Sequence, residues 1–331
     1  MKGLTAVAVL VVSALFAASA NADVRYASPA GSGSACTHAD PCALRRAIEG
    51  GAVRFGDEVI VLGGTYDLGD RHVLVDRGIR VHGVPGAPRP TIVSHDFTTL
   101  WVFHRAAVVS DLEVVNSSAM LASAVTVSDG ILDRLRARSP ATGCALFPDV
   151  EGQLPLIRNS FCWGTSAHGY GLQWGIGAGT EVSWTARLRG VTAIGGQSGL
   201  RMDAGSGPVH LKLDAANVIV RGGVARDIVA RAEAGGNTIR MDFSHSNYAR
   251  KAGFAGDGSR VRITRPGAGA NQTAAPVFRN RAAGDFHQRS TSPTVNHGID
   301  TDLNGPRDVD RQRRSQGPAP DIGGDELPAG G

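Results

Sequence analysis

Asp111-Leu112-Glu113-Val114, Arg134-Leu135-Arg136-Ala137, Asn159-Ser160-Phe161-Cys162, Gly190-Val191-Thr192-Ala193 and Asn217-Val218-Ile219-Val220 are five versions of one short phrase. Each opens on a polar residue or glycine and continues with mostly apolar positions two apart. The openings are spaced 23, 25, 31 and 27 residues apart. An imperfect period of that length with strand texture is the mark of a solenoid, in which one coil cannot bury its own apolar face and needs neighbours above and below. The uneven spacing fits loops of variable length at one corner. The expected fold is all-β: a single-stranded right-handed parallel β-helix. A β-sandwich would show two-residue Asn-Gly or Asp-Gly turns between alternating strands, and these are nearly absent here.

The same texture extends outward in both directions. Runs such as Val59-Ile60-Val61-Leu62, Ile79-Arg80-Val81-His82 and Val108-Val109 are short, rich in β-branched residues, and bounded by Gly, Asn, Asp and Ser. Four segments follow: 1–22, 23–57 as an N-terminal cap, 58–264 as the β-helix, and 265–331 as a C-terminal cap or a tail packed along the helix. In the second segment, Asp40 and Pro41 read as N-cap and first residue of a short amphipathic helix carrying Leu44, Ala47 and Ile48 on one face, stopped by Gly50-Gly51. In the last, Gly, Pro, Asn and Arg dominate.

Residues 1–22 have the parts of a secretory signal: Lys2, an apolar run from Leu4 to Ala18, and small residues at Ala20 and Ala22 around Asn21. Cleavage would leave Asp23 first. A short N-terminal anchor is the competing reading, although the run is short for a membrane span. The expected location is outside a bacterial cell. Four cysteines, an even number, then imply two disulfides, with local pairing Cys36–Cys42 and Cys144–Cys162 preferred among the three connectivities. The formal charge of +4 is too mild to mark a nucleic-acid partner. The cations are 31 Arg against 3 Lys, which with abundant Ala and Gly reflects a GC-rich genome rather than a function.

The two ends carry a resemblance. Tyr26-Ala27-Ser28-Pro29-Ala30-Gly31, Gly56-Asp57-Glu58-Val59-Ile60-Val61 and Gly64-Thr65-Tyr66 lie at the start. Ser244-His245-Ser246-Asn247-Tyr248 lies late in the coils. Ala275-Pro276-Val277-Phe278, Gly284-Asp285-Phe286-His287, Ser292-Pro293, Asp302-Leu303-Asn304-Gly305-Pro306-Arg307 and Asp321-Ile322-Gly323 lie at the close. Together these resemble bacterial extracellular parallel β-helix proteins of the pectin-lyase-like superfamily, particularly the "choice-of-anchor Q" type. The resemblance frames nearly the whole chain and implies the fold; it assigns no activity. The sequence departs from that pattern at Asn296-His297, and at Gly324-Asp325-Glu326, where an aromatic is usual.

Candidate chemistry is sparse. Glycosidases need two carboxyls flanking the scissile bond. The Asp-Asp pair of polygalacturonase-like proteins is missing, and Ala167-His168-Gly169 resembles only a fragment of their His element. A lyase needs a base and acids to hold Ca²⁺ against a uronate. Arg201 as base, with Asp203 and Asp214 near an ion, could supply them; an ordinary solvated ion pair is the plainer reading. Asp300-x-Asp302-x-Asn304-Gly305 matches the first half of a Ca²⁺-binding loop, but Arg311 stands where a bidentate Glu belongs, so an Asx turn competes with a metal site. The Arg307, Arg311, Arg313, Arg314 stretch reads as an anionic-polymer contact or a solvated tail.

Trp163, His168, Tyr170, Trp174 and Trp184 crowd into 22 residues of a chain that is only 5% aromatic, interleaved with Gly164, Gly169, Gly171, Gly175, Gly177 and Gly179. Exposed aromatic faces stack on sugar rings; buried ones are core. Trp163, Tyr170, Trp174 and Trp184 are therefore the expected ligand contacts. The functional expectation is a monomeric, non-catalytic module binding a polysaccharide or cell-surface glycan, with a polysaccharide lyase or glycoside hydrolase as the alternative. No cofactor is expected beyond Ca²⁺, and no membrane span after signal cleavage.

Overall fold

A computed structural model of the chain describes residues 22–118, 121–176, 181–205 and 207–328. All but Ala22 of the signal-like segment lies outside the described residues, as do Gly177 and Gly179. No described helix is long and apolar enough to cross a membrane.

The chain winds into a parallel β-solenoid with three sheets, each built from one strand per coil. Sheet A runs through Val24–Ala27, Glu58–Val61 and Arg80–Gly83, then 108–110, 131–133, 156–158, 182–189 and 209–216, to Thr238–Ser244 and Arg260–Ile263. Sheet B runs through Thr65–Asp67, Thr91–Ser94, Glu113–Asn116, Arg136–Ser139, 161–164, 192–195 and 219–222. Sheet C runs through Val73–Val75, 98–102, 123–127, Thr142–Leu146, Tyr170–Ile176, Ser198–Ala204, Arg226–Ala232 and Lys251–Ala255. Every pairing in the three sheets is parallel.

Alternation within each strand builds the core. In sheet A, Val59, Val81, Val109, Leu132, Ile157, Leu188, Ala215 and Phe243 stand in register and all are buried. Sheet B adds Ile92, Val114, Ala137, Cys162, Ala193 and Val220; sheet C adds Leu100, Val125, Cys144, Leu172, Leu200 and Ile228. Each Val, Leu, Ile or Phe in these rows contributes about 1.5–3 kcal/mol of apolar burial, and each Ala less. Cys144 and Cys162 belong to inward rows of different sheets, so their disulfide crosses the interior. The second bridge joins Cys36 and Cys42, as the local pairing requires.

The repeated polar or glycine opening is the corner between sheets A and B. Asp111, Arg134, Asn159 and Asn217 have φ of 60°, 55°, 48° and 56°; Gly190 has 57°, and His245 extends the series at 44°. This left-handed conformation turns the chain between two strands, and Asn, Asp and His tolerate it better than other non-glycine residues. Arg134 is the exception, held there by a two-pronged bond to Asp111 at 3.0 and 2.8 Å.

A second corner, between sheets B and C, is too tight for side chains. Gly164, Gly195 and Gly222 stand in register on sheet B, facing Gly171 and Gly199 on sheet C. A Cβ on Gly195 would lie 2.0 Å from the Ser198 carbonyl oxygen, and one on Gly171 would lie 2.5 Å from the Ile194 nitrogen. Gly164 and Gly171 therefore interleave with the aromatics for backbone packing rather than for ligand contact.

The one described α-helix is Leu44–Glu49, which buries Leu44, Ala47 and Ile48. It begins later than the Asp40 cap implied. Cys42 is taken as a strand partner: its N–H donates to the Tyr26 carbonyl at 3.0 Å, and its own carbonyl accepts from Ser28 at 3.1 Å. Asp40 stays exposed in the loop.

From residue 276 the chain runs along the side of the solenoid, over the outer face of sheet B. Phe278, Phe286, Val309 and Ile322 pack on Phe161, Ile194 and Ile219, with Trp163 at the edge. The corners supply the polar fastenings. Asn159 donates to the Asn304 carbonyl at 2.6 Å and Asn217 to that of Ile299 at 2.8 Å; Arg311 reaches Asp111 at 2.8 Å and Arg136 reaches Asp310 at 2.6 Å. Arg314 is buried against the Asp321 and Gly323 carbonyls. Arg311 and Arg314 are thus structural, not a polymer contact. Asp325 and Glu326, standing where an aromatic was expected, accept backbone N–H bonds from Gln288, Gln316 and Asp321.

The fastening of this segment is pH-dependent. His287 lies between Asp285 and Asp310. Burial pulls its pKa down, but the hydrogen bond and charge of Asp310, joined by Asp285, overcome that and raise it to about 8. Burial pushes Asp308 up to about 6 and Glu326 up to about 7. All three groups hold protons more tightly folded than unfolded, so their stabilisation is complete at low pH and is lost as pH rises through the folded values. Asp310 and Asp111 shift the other way: burial opposes ionisation, but their cationic partners win. Their contribution is lost in acid. Stability is therefore expected to peak at about pH 4 and to fall between about pH 4 and 8. His287→Gln should flatten the 6.5–8 part of a melting-temperature profile, by roughly 1–2 kcal/mol. An unchanged profile in that variant would show that His287 does not carry the dependence.

Candidate functional site

With sheet B partly covered by the C-terminal segment, sheet C presents an open outer face. Its outward row follows from the alternation. Leu74, Trp101, Thr126, Ala145, Gln173, Arg201 and Val229 stand in register, one per coil. At roughly 4.8 Å between strands, Trp101 and Arg201 are about 19 Å apart along the axis. Two hollows line this face and share Gly175. One, of about 270 Å³, is bounded by Phe97, Trp101, Thr126, Thr142, Phe147 and Gln173. The other, of about 370 Å³, is bounded by Arg201, Asp203, Arg231 and Glu233.

The first end is aromatic. Trp101 is the hub, meeting Phe97 at 5.7 Å and Phe103 and Phe147 at 6.1 Å, all edge to face. Phe97 is 52% exposed and Phe147 43%. The indole N–H of Trp101 donates to Ser128 at 2.9 Å, which fixes the ring plane. At the corner beside it, His72 Nδ1 lies 2.8 Å from Asp96 Oδ2, and the imidazole meets Phe97 at 5.0 Å. The middle is neutral and polar: Thr142 donates to the Gln173 side-chain oxygen at 3.0 Å, and Thr126 bonds to Ser123 and Thr98.

The far end holds charges, of which Arg201 and Asp203 are paired with one another. Arg201 donates to Asp203 at 2.5 Å and to the Tyr170 hydroxyl at 2.5 Å, and lies over the Tyr170 ring at 5.2 Å. Burial lowers the Arg201 pKa, but the bond and charge of Asp203, with the Tyr170 bond, more than offset this and leave it raised. Arg231 stacks on Phe254 at 5.5 Å.

The structure sorts the expected residues sharply. Tyr170, Arg201 and Asp203 come together on sheet C. Asp214 does not join them: it sits on sheet A, paired with Arg189 at 2.7 Å. His168 lies exposed in the turn between sheets B and C. Trp163 faces outward from sheet B at the margin of the C-terminal segment, 5.6 Å from Phe286. Trp174 and Trp184 are core residues, 0% and 5% exposed. Trp174 stands in the inward row of sheet C between Leu146 and Met202, and Trp184 pairs with Leu211 in sheet A. Neither can stack on a ligand. Phe97, Trp101, Phe147 and the His72–Asp96 pair were not singled out from the sequence.

A Ca²⁺ ion does not fit the residues proposed for it. The Asn304 side-chain oxygen already accepts from Thr301 at 2.9 Å and Asn217 at 3.5 Å. Asp203 and Asp214 are each paired with a guanidinium, and Asp300 and Asp302 are exposed. Among the described residues, His287, Asp310 and Asp325 also cluster within 4.8 Å, but Arg136, His287 and the Gln288 N–H already occupy those oxygens.

No protein-family model matches the chain, and no curated protein does. Among solved structures, the chain is similar to the crystal structure of pectate lyase Pel9A, with a TM-score of 0.44 and 12% identity over 92% of this chain and 96% of that one. The strand registers of this chain establish its fold by themselves.

Proposed function

We propose that the chain is an extracellular module that binds a polysaccharide or cell-surface glycan along the outer face of sheet C, without cleaving its backbone. The observation that carries this reading is the aromatic hub of half-buried Trp101 with exposed Phe97 and Phe147, continued by the half-buried side-chain amide of Gln173. Apolar ring faces take the C–H faces of sugars, and neutral hydrogen-bonding groups take hydroxyls. The sequence resemblance to choice-of-anchor Q proteins, the two disulfides and the signal-like start support an exported protein.

Backbone cleavage lacks its parts on this face. A lyase would need Arg201 deprotonated, and Asp203 holds it charged. A glycosidase would need two available carboxyls at a set separation. Affinity electrophoresis of the chain from Asp23 onward through gels containing individual polysaccharides, with Ca²⁺ and with chelator, tests the reading. Retardation is expected in at least one gel and independently of Ca²⁺. Trp101→Ala should weaken it about tenfold, as loss of a central aromatic contact does. Unchanged retardation in that variant, or unsaturated or new reducing ends in solution, would overturn the proposal.

A further inference from the structure

We infer that His72, oriented by Asp96, is a proton-transfer site that hydrolyses acyl esters on the glycan held at the aromatic end of sheet C; this rests on the binding reading above. Asp96 sits in the turn between sheets B and C, where its Oδ1 accepts the Phe97 N–H at 2.7 Å. Its backbone carbonyl accepts from Asn116 at 2.8 Å. The residue is thus held at its backbone and at Oδ1, with Oδ2 left to face His72 Nδ1 at 2.8 Å. An ionised carboxylate only accepts, so the neutral ring must carry its proton on Nδ1. Nε2, on the opposite edge of the ring, then carries a lone pair, and among the described residues it has no hydrogen-bond partner. This is the arrangement of an oriented general base.

Its surroundings specify what it can act on. The imidazole packs edge to face on Phe97 and lies 6.4 Å from Trp101, so a sugar on that platform comes within reach of Nε2. Both members are partly exposed, 29% and 21%, so water has access. A single base that takes a proton and returns it is enough for ester hydrolysis but not for glycoside hydrolysis, which needs a second carboxyl. Nε2 removes a proton from water as the water oxygen bonds to the acyl carbon and the carbonyl π pair moves to its oxygen. On collapse, the bond from the acyl carbon to the sugar oxygen breaks, and that oxygen takes the proton from Nε2. Water and ester are consumed, a carboxylic acid and a free sugar hydroxyl are formed, and the ring returns to its starting state.

The test is acetate release from an O-acetylated xylan and from 4-nitrophenyl acetate, beside gel retardation by the same xylan before and after chemical deacetylation. Melting curves check each variant. The chain should release acetate, and His72→Gln should lower the rate at least 100-fold while the xylan still retards the protein. Asp96 acts through His72, so Asp96→Asn should lower kcat with little change in KM, and Asp96→Glu should restore part of it. Trp101→Ala should raise KM. Retardation without acetate release, or release within twofold of normal in folded His72→Gln, sinks the esterase inference and leaves the binding reading standing. No retardation by either xylan together with no release counts against both. If His72→Gln fails to fold, the kcat and KM of Asp96→Asn decide.

Discussion

Gly195→Ala is expected to destabilise the fold by about 3 kcal/mol or more, lowering the melting temperature by roughly 6 °C or more. The added methyl would sit 2.0 Å from the Ser198 carbonyl oxygen, 2.7 Å from that of Gly169 and 2.8 Å from the Gly171 nitrogen. All three are backbone atoms, two in strands and the Gly169 carbonyl bonded to the Gln197 N–H, so none can swing aside as a side chain could. The seam between sheets B and C must open, and it is shared by Gly164 and Gly222 one coil to either side. Gly51→Ala is the matched control: nothing lies within 4 Å of its added Cβ, and no positive φ opposes it. That variant should melt at or slightly above the parent, because alanine narrows the unfolded ensemble. Equal melting of the two variants by calorimetry would show that the seam relaxes freely.

Trp174→Ala should cost about 3–5 kcal/mol while leaving glycan affinity of the folded protein unchanged. The indole is fully buried between Leu146 and Met202, so its removal leaves a large cavity in the inward row of sheet C. Trp101→Ala should show the reverse, with a smaller loss of stability and a weaker hold on glycan. Denaturant titration paired with gel retardation separates the two. Lost affinity in Trp174→Ala at temperatures where it is fully folded would contradict the assignment of faces.

The coil spacing was legible in the sequence because a corner that demands a left-handed residue leaves a polar or glycine mark in every turn. Asp111, Arg134, Asn159, Gly190 and Asn217 are those marks. The faces were legible as well, wherever alternation is followed strictly: in Leu172-Gln173-Trp174, an inward Leu172 puts Trp174 inside. Counting aromatics along the chain hid this. Surface neighbours in a solenoid lie one or two full coils apart in sequence, so Trp101 and Phe147 touch across 45 intervening positions while Trp163, Trp174 and Trp184 occupy three different sheets. The His72–Asp96 pair was invisible for the same reason: its members occupy equivalent corners of successive coils. The fold of residues 276–327 along sheet B depends on single long-range bonds such as Arg311 to Asp111, which no local pattern encodes.

A stack of coils in which each touches only the next is a one-dimensional chain, and such chains melt from their ends, coil by coil. The C-terminal segment breaks that rule. It bonds in turn to Asp111, Arg136, Asn159 and Asn217, so coils that never touch one another share a common partner. Loosening any one coil then strains the fastening of the rest. What would be a zipper behaves as a bound volume whose pages are held by one spine, and sheet C, across the glycine seam from sheet B, is steadied by a segment fastened to its neighbour.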